Sequence, residues 1–300
     1  MSFLSVLKSG KIILLDGAMG TQLEKLGGDL SGGGKNNLTH PEIVLKVHQE
    51  YVQSGAQVLI TNTFTMNPIY VSTHNIDVNL PAVNRAGVEL ARQAAQEGQY
   101  VMGGLGPTGQ MLQPFGTYSE DDFYQGFKQQ AEILAASGID GFIIETMFDV
   151  NEALCALRAC RDAADLPVIV SLTLSAKSGG GRTMMGQTMP ECAVTLEEGG
   201  ADVVGINCGD LDPEEIAQVV QNLKQATSLP IMVEPNAGKP KLTQGKTCYD
   251  MTPEIFAAGI GKCLEAGATL VGGCCGTTPD HIRAVAEQLK KMESITKPTT

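Results

Sequence analysis

The feature that most restricts the fold of this chain is a repeat. Eight short apolar runs recur along it: Ile12 to Asp16, Gln57 to Asn62, Tyr100 to Leu105, Gly141 to Thr146, Pro167 to Leu174, Asp202 to Asn207, Pro230 to Glu234 and Thr269 to Gly273. Continuous Val, Ile and Leu without polar alternation marks strands covered on both faces, and such strands alternating with helices imply a parallel sheet. The helices are punctuated clearly. One begins near Pro41 and ends at Gly55, another begins at Ser119 with acids in its first turn and ends at Gly138, and a third opens at Asp212-Pro213-Glu214-Glu215. Two more open at Thr252-Pro253 and Thr278-Pro279, with Pro at the first helical position, while Gly199 and Gly267 close helices just before strands. Eight βα units predict an α/β fold, a single-domain (β/α)8 TIM barrel, and 300 residues with 43% apolar content are enough to fill one. The barrel is expected over residues 1–292, with residues 293–300 a disordered tail.

Charge and cysteine content narrow the function. With 33 acidic residues against 21 Lys and Arg, a net charge of −12 excludes a nucleic-acid partner, which would need clustered cations. No run is long enough to span a membrane. The slightly apolar start is interrupted by Lys8 and Lys11, and no cleavage site follows. Eight cysteines without a signal-peptide pattern read as reduced thiols of a cytoplasmic protein. Cys155, Cys160 and Cys263 lie within helical patterns and read as small buried hydrophobes.

A barrel of this kind carries its site at the C-terminal ends of the strands. Those ends are polar here: Asp16-Gly17, Asn62-Thr63, Gly106-Pro107, Glu145-Thr146, Ser171 to Ser175, Asn207-Cys208, Glu234-Pro235-Asn236 and Cys274-Cys275. The longest loops fall on the same side, at 18–39, 106–118, 176–189 and 237–251, and are expected to form a mobile rim.

Three of the strand-end residues are thiols. Cys208 follows the sixth run, and the adjacent Cys274 and Cys275 follow the eighth. A disulfide between neighbours would be strained, so a soft metal is the better expectation. Three thiolates with no fourth Cys or His at a strand end suggest tetrahedral Zn2+ with one open position, and the four His residues, at 40, 48, 74 and 281, end no strand. Zinc with three thiolates is electron-rich, a poor activator of water but a good holder of a nucleophilic substrate thiolate. That points to thiol alkylation. The helix opening at Thr278 would offset part of the negative charge, and Gly272, Gly273 and Gly276 would let a bulky donor approach. A structural zinc with Cys248 as fourth ligand, or three unrelated buried thiols, is the competing account.

Asp16 and Glu145 suit a substrate ammonium group, or serve as structural caps. Asn62, Thr63 and Asn207 either fix an amino-acid head group or brace loops. Asn236 is a candidate to lend an oxygen to zinc when no substrate is bound. Other motifs lead nowhere. Gly104-Leu105-Gly106-Pro107-Thr108-Gly109 has the glycines of a dinucleotide site, but Pro107, Pro114 and Gly116 delay the helix that such a site requires. Ser31-Gly32-Gly33-Gly34-Lys35 lacks the Ser or Thr and the preceding strand of a P-loop, and Ser178-Gly179-Gly180-Gly181-Arg182 reads as a flexible lid rather than an anion site.

Taken together, Asp16-Gly17-Ala18-Met19-Gly20-Thr21, Asn62-Thr63-Phe64, Gly106-Pro107-Thr108-Gly109, Glu145-Thr146, Gly205-Ile206-Asn207-Cys208 and Gly272-Gly273-Cys274-Cys275-Gly276 resemble the homocysteine S-methyltransferase family over about residues 10–290. The resemblance implies a (β/α)8 barrel, zinc on Cys208, Cys274 and Cys275, and homocysteine bound through its thiolate. Arg182 to Thr188 and Gly276 to Ile282 look most like the homocysteine domain of cobalamin-dependent methionine synthase. The betaine-using branch relies on aromatic contacts that include Trp, and this chain has no Trp. One departure stands out: no Asp-x-His-x-x-Gly cobalamin motif occurs, so a corrinoid donor would arrive on another protein or another part of a longer chain.

The expected activity is zinc-dependent methyl transfer to homocysteine, giving methionine. Cys208, Cys274 and Cys275 would hold the metal, and Asp16, Glu145 and the backbone N–H groups of Ala18 and Met19 would position the amino acid. The donor is read as methylcobalamin on a partner protein or module. S-methylmethionine, another sulfonium or betaine is the alternative donor, and a non-catalytic zinc or thiol sensor the alternative function.

Overall fold

The structure, a computed structural model, describes residues 2–29, 33–175, 181–243 and 246–296. The apolar runs become β1 (Ile13–Leu14), β2 (Val58–Ile60), β3 (Tyr100–Leu105), β4 (Gly141–Met147), β5 (Val168–Leu172), β6 (Val203–Asn207), β7 (Ile231–Glu234) and, after a short hairpin of β8 (Lys241–Thr243) and β9 (Lys246–Cys248), β10 (Leu270–Val271). The barrel strands are all parallel, in the order β1, β10, β7, β6, β5, β4, β3, β2. A bridge between Leu15 and Val58 joins the two ends, reinforced by Gln57 N–H donating to the Leu14 carbonyl at 2.7 Å. The result is a single-domain (β/α)8 barrel.

The helices are α1 (Phe3–Lys8), α2 (Gly20–Lys25), α3 (Asn36–Thr39), α4 (Pro41–Gln53), α5 (Pro68–Thr73), α6 (Leu80–Ala94), α7 (Glu120–Ala136), α8 (Val150–Ala163), α9 (Met189–Glu198), α10 (Pro213–Ala226), α11 (Pro253–Ala266) and α12 (Pro279–Thr296). Ser119, Thr188 and Asp212 each open a helix with a reciprocal capping box, satisfying end groups that would otherwise lack partners. Gly267 ends α11 in the left-handed region, whereas Gly199 stays right-handed and Gly200, at φ +90°, makes the reversal. The segment expected as a tail from residue 293 begins as helix: α12 runs to Thr296, two residues before Pro298, and 297–300 lie outside the described residues. The same holds for 30–32, 176–180 and 244–245, and with them parts of the expected rim, Ser31-Gly32 of the P-loop-like stretch and Ser178 to Gly180 of the lid.

Two large apolar cores result, beside a small cluster of Met66, Val71 and Val83. The outer one lies between sheet and helices. The inner one takes residues from every barrel strand or its edge, namely Ile13, Leu15, Val58, Met102, Ile143, Ile169, Val203, Met232 and Leu270, and fills the bore. Phe3 and Leu7 of α1 close it from the N-terminal end. Among the described residues no helix is long and apolar enough to cross a membrane.

Candidate metal and thiol-binding site

Cys208 stands immediately after β6, and its backbone is left-handed at φ +57°, a conformation that costs a non-glycine residue about 1–3 kcal/mol. The turn continues through Gly209 at φ +74°, where a Cβ would lie 2.2 Å from the Leu174 carbonyl oxygen. Cys208 N–H donates to the Glu234 carbonyl at 3.1 Å, which ties this turn to β7. On the other side, Cys274 N–H donates to the Pro235 carbonyl, and Thr277 donates to the Cys274 carbonyl through both N–H and Oγ1. At Gly273 a Cβ would meet Thr277 Cγ2 at 2.5 Å, so the close turn admits no side chain there.

These constraints bring three half-buried sulfurs together. Cys208 Sγ lies 3.9 Å from Cys275 Sγ, which is 4.0 Å from Cys274 Sγ, and all three fall within 4.8 Å of one another. A tetrahedral ion with metal–sulfur bonds of about 2.3 Å sets its sulfurs about 3.8 Å apart. The spacing is therefore compatible with zinc, and among the described residues this is the one group of three such side chains close enough to share an ion. Cys248 is exposed and outside the group. Hydrogen bonds with Cys208 and Cys274 hold the Cys275 thiol down at about 3, while those with Cys208 and Cys275, and then burial, push Cys274 well above the ordinary thiol range. A divalent cation among them would displace the remaining protons. Asn236 is not among the residues that line the thiol cavity; its Nδ2 donates to the Gly209 carbonyl at 2.7 Å, and its buried Oδ1 has no protein partner.

The thiols open on a cavity of about 690 Å³ that also exposes Asp16, Glu145 and Glu234. Asp16 Oδ2 accepts a hydrogen bond from Ile60 N–H at 3.0 Å. Glu234 Oε1 is buried without a partner. Burial, followed by the charge of Cys275, pushes Glu145 up to about 7. Burial first, and neighbouring carboxylates after it, push Asp16 and Glu234 well above the usual range. Gly104 and Gly272 make room for these acids: a Cβ at Gly272 would lie 2.9 Å from both the Asp16 carbonyl oxygen and Glu234 Oε1. A cavity lined by three such acids is suited to a cation.

Glu145 reaches the cavity because β4 is irregular. Its register with β5 shifts between Ile144 and Met147, and Thr146 is left-handed at φ +62°, an outlier for a β-branched residue. Asn207 holds it there. Asn207 Oδ1 accepts from Thr146 N–H and Ser171 Oγ, while Nδ2 donates to Thr146 Oγ1, each at 2.7 Å, and lies 3.8 Å from Cys274 Sγ.

The expected head-group residues therefore separate into two sets. Asp16, Ala18, Met19, Asn62 and Glu145 line the cavity. Thr63 and Asn207 do not; both are fully buried, and Thr63 Oγ1 donates to the Gly104 carbonyl at 2.7 Å. Ala18 N–H is already taken by Thr277 Oγ1 at 2.9 Å, and Asn62 Nδ2 by Asn37 Oδ1, whereas Met19 opens α2 with no side-chain cap. Residues not anticipated as site members also face the cavity: Glu234, Thr146, Tyr249 and Phe64. Glu234 ends β7 and was open to the same strand-end rule as Glu145. Thr277 and Tyr51, which shape the Gly17–Ala18 turn from behind, carry no local signal in the sequence.

The family model for homocysteine S-methyltransferase matches residues 13–289. The chain belongs to the homocysteine S-methyltransferase family. Consistent with this, it is similar to the homocysteine methyltransferase MmuM from Escherichia coli in its metallated form, with 26% identity over 95% of this chain and 98% of that one and a TM-score of 0.78. The oxidized form of MmuM matches at 26% identity over 95% and 99%, with a TM-score of 0.77. The carboxyl transferase domain of Rhizobium etli pyruvate carboxylase with pyruvate, at 16% identity over 95% and 48% and a TM-score of 0.54, shares the fold alone. As a homocysteine S-methyltransferase family member the chain is a thiol methyltransferase, and its three-cysteine cluster is able to bind a metal.

Proposed function

We propose that this chain is a cytoplasmic, zinc-dependent enzyme that methylates homocysteine to methionine. The observation that carries the reading is the cluster of Cys208, Cys274 and Cys275 at tetrahedral spacing, opening on a cavity lined by carboxylates. MmuM, the similar homocysteine methyltransferase, is known in a metallated form, which supports assigning a metal here. When bound, zinc would supply the Lewis acidity that takes up the substrate thiol as a thiolate near neutral pH. The rest is work for the protein's own side chains. Asp16 and Glu145 receive the substrate ammonium, whose charge replaces the protons that burial keeps on them. Asn62 and the start of α2 at Met19 contact the head group, while Ala18 bounds it through packing. Asn207 and Thr63 hold the strand ends in place, and Asn236 offers Oδ1 to the metal before substrate arrives.

The donor in this reading is methylcobalamin on a partner protein or module, supported by the resemblance at Arg182 to Thr188 and Gly276 to Ile282. A second reading, S-methylmethionine or another sulfonium, is favoured by the match to MmuM over nearly the full length of both chains. Methionine formation from homocysteine, with and without zinc, tests both. Turnover with methylcobalamin, free or on a corrinoid protein, supports the first donor, and turnover with S-methylmethionine alone supports the second. Zinc and homocysteine binding without turnover on any donor would favour a sensor instead.

A further inference from the structure

The cavity wall at the end of β2 carries an amide whose orientation is fixed from behind by a second one. Asn37, on α3, is buried, and its Nδ2 donates to two carbonyls, that of Asn62 at 2.8 Å and that of Val83 on α6 at 3.1 Å. Carbonyl oxygens only accept, so the group facing them must be the amide NH2, and Asn37 Oδ1 must turn the other way. There it meets Asn62, whose Nδ2 donates to it at 2.9 Å and reaches the Gly33 carbonyl at 3.5 Å. Both hydrogens of each amide are thereby used. Gly87 provides the room, since a Cβ there would lie 2.7 Å from Asn37 Nδ2, and a Cβ on Gly34 would lie 2.8 Å from the Asn62 carbonyl oxygen.

One polar atom of the pair is left over. Asn62 lines the thiol cavity, its Nδ2 is held by Asn37 and Gly33, and among the described residues nothing donates to its Oδ1. An asparagine free to rotate could serve a carboxylate or an ammonium, but this one has only an acceptor to offer. Asp16, another acceptor, stands beside the same strand: two residues before Asn62, Ile60 N–H donates to Asp16 Oδ2. We propose that Asn62 is a specificity-determining residue that accepts a hydrogen bond from the substrate ammonium, and that Asn37 is the positioning residue that denies the substrate carboxylate a donor at this wall. The inference rests on the homocysteine reading above and deepens it, by assigning one of the two head-group charges to the end of β2.

The test measures binding by calorimetry, with the zinc-loaded protein and no methyl donor, for three thiols: homocysteine, 4-mercaptobutanoate, which lacks the amine, and 3-mercaptopropylamine, which lacks the carboxylate. Each Kd is compared between variant and wild type for one thiol at a time, so the acidities of the thiols themselves cancel. Asn62→Ala is expected to weaken homocysteine and 3-mercaptopropylamine about tenfold and to leave 4-mercaptobutanoate within about twofold. Asn37→Ala keeps the Asn62 side chain but frees it to turn; it should shift the three thiols in the same sense by a smaller factor, and it decides the matter if Asn62→Ala does not fold. A loss confined to the two carboxylate-bearing thiols overturns the proposal, because Asn62 would then read the carboxylate. So does an equal loss on all three, which a residue that only braced the loop would give. The expected pattern of binding without methionine formation on any donor would sink the function proposed above and leave this inference standing, whereas methionine formation with Asn62→Ala leaving both amine-bearing thiols unchanged would do the reverse.

Discussion

The bore of the barrel changes character within one pleat. Ile143, Ile169 and Met232 fill its lower layer and are fully buried. Two residues further along the same strands, Glu145 and Glu234 line a cavity, while the fully buried Ser171 donates to Asn207 Oδ1. The lower layer gains free energy from apolar burial. The upper layer carries raised carboxylates, an unpartnered Glu234 oxygen and left-handed backbone at Thr146 and Cys208. Stability thus resides in one half of the bore and chemistry in the other, and the first holds the second in place.

The strongest break of this contrast removes a ligand. Cys208→Ser is expected to cost at least about 100-fold in methionine formation and to abolish stoichiometric zinc, while leaving the urea midpoint of the metal-free protein nearly unchanged. Metal analysis and unfolding curves on one preparation check both halves. Met232→Ala should do the opposite, lowering stability by about 2–5 kcal/mol while the folded fraction keeps its zinc.

Glu145→Gln sharpens the comparison further. The carboxyl sits at about 7 in the folded chain against 4.5 as a free side chain, so between those values the folded state binds more protons and stability falls as pH rises. The substitution should therefore stabilise the metal-free protein by up to about 3 kcal/mol above pH 7, with no gain below pH 4.5. It should also raise KM for homocysteine. Asn207→Ala is expected to have the smallest effect, lowering kcat/KM about tenfold by releasing Thr146, with little change in zinc content. An unchanged kcat/KM would mean that the bulge in β4 holds without its clamp.

Much of this was legible in the residues. Strands covered on both faces leave unbroken apolar runs, and all eight were found with ends shifted by a few residues. The thiols were legible for the same reason, since Cys208, Cys274 and Cys275 sit at strand ends. The part played by Asn207 was not, because it depends on a register shift in β4 and a left-handed Thr146, both set by tertiary packing. The opening residues gave only a weakly apolar signal, yet Phe3 and Leu7 plug the bore. Tyr249 lies in a stretch rich in Gly and Lys that read as irregular, and its place follows from backbone bonds at Ala237 and Met251, which side-chain patterns do not report.

The ligands also stand far apart in the chain. Cys208 and Cys275 are 67 positions apart, on either side of β7 in the sheet order. An ion shared by them is therefore a cross-link that closes one long loop containing α10, β7, the hairpin and α11. Such a closure removes freedom chiefly from the unfolded chain, so an ion bound there for chemistry would also act as a fastener for the last quarter of the barrel. Chelation should then reveal itself first as new protease cuts between residues 209 and 273.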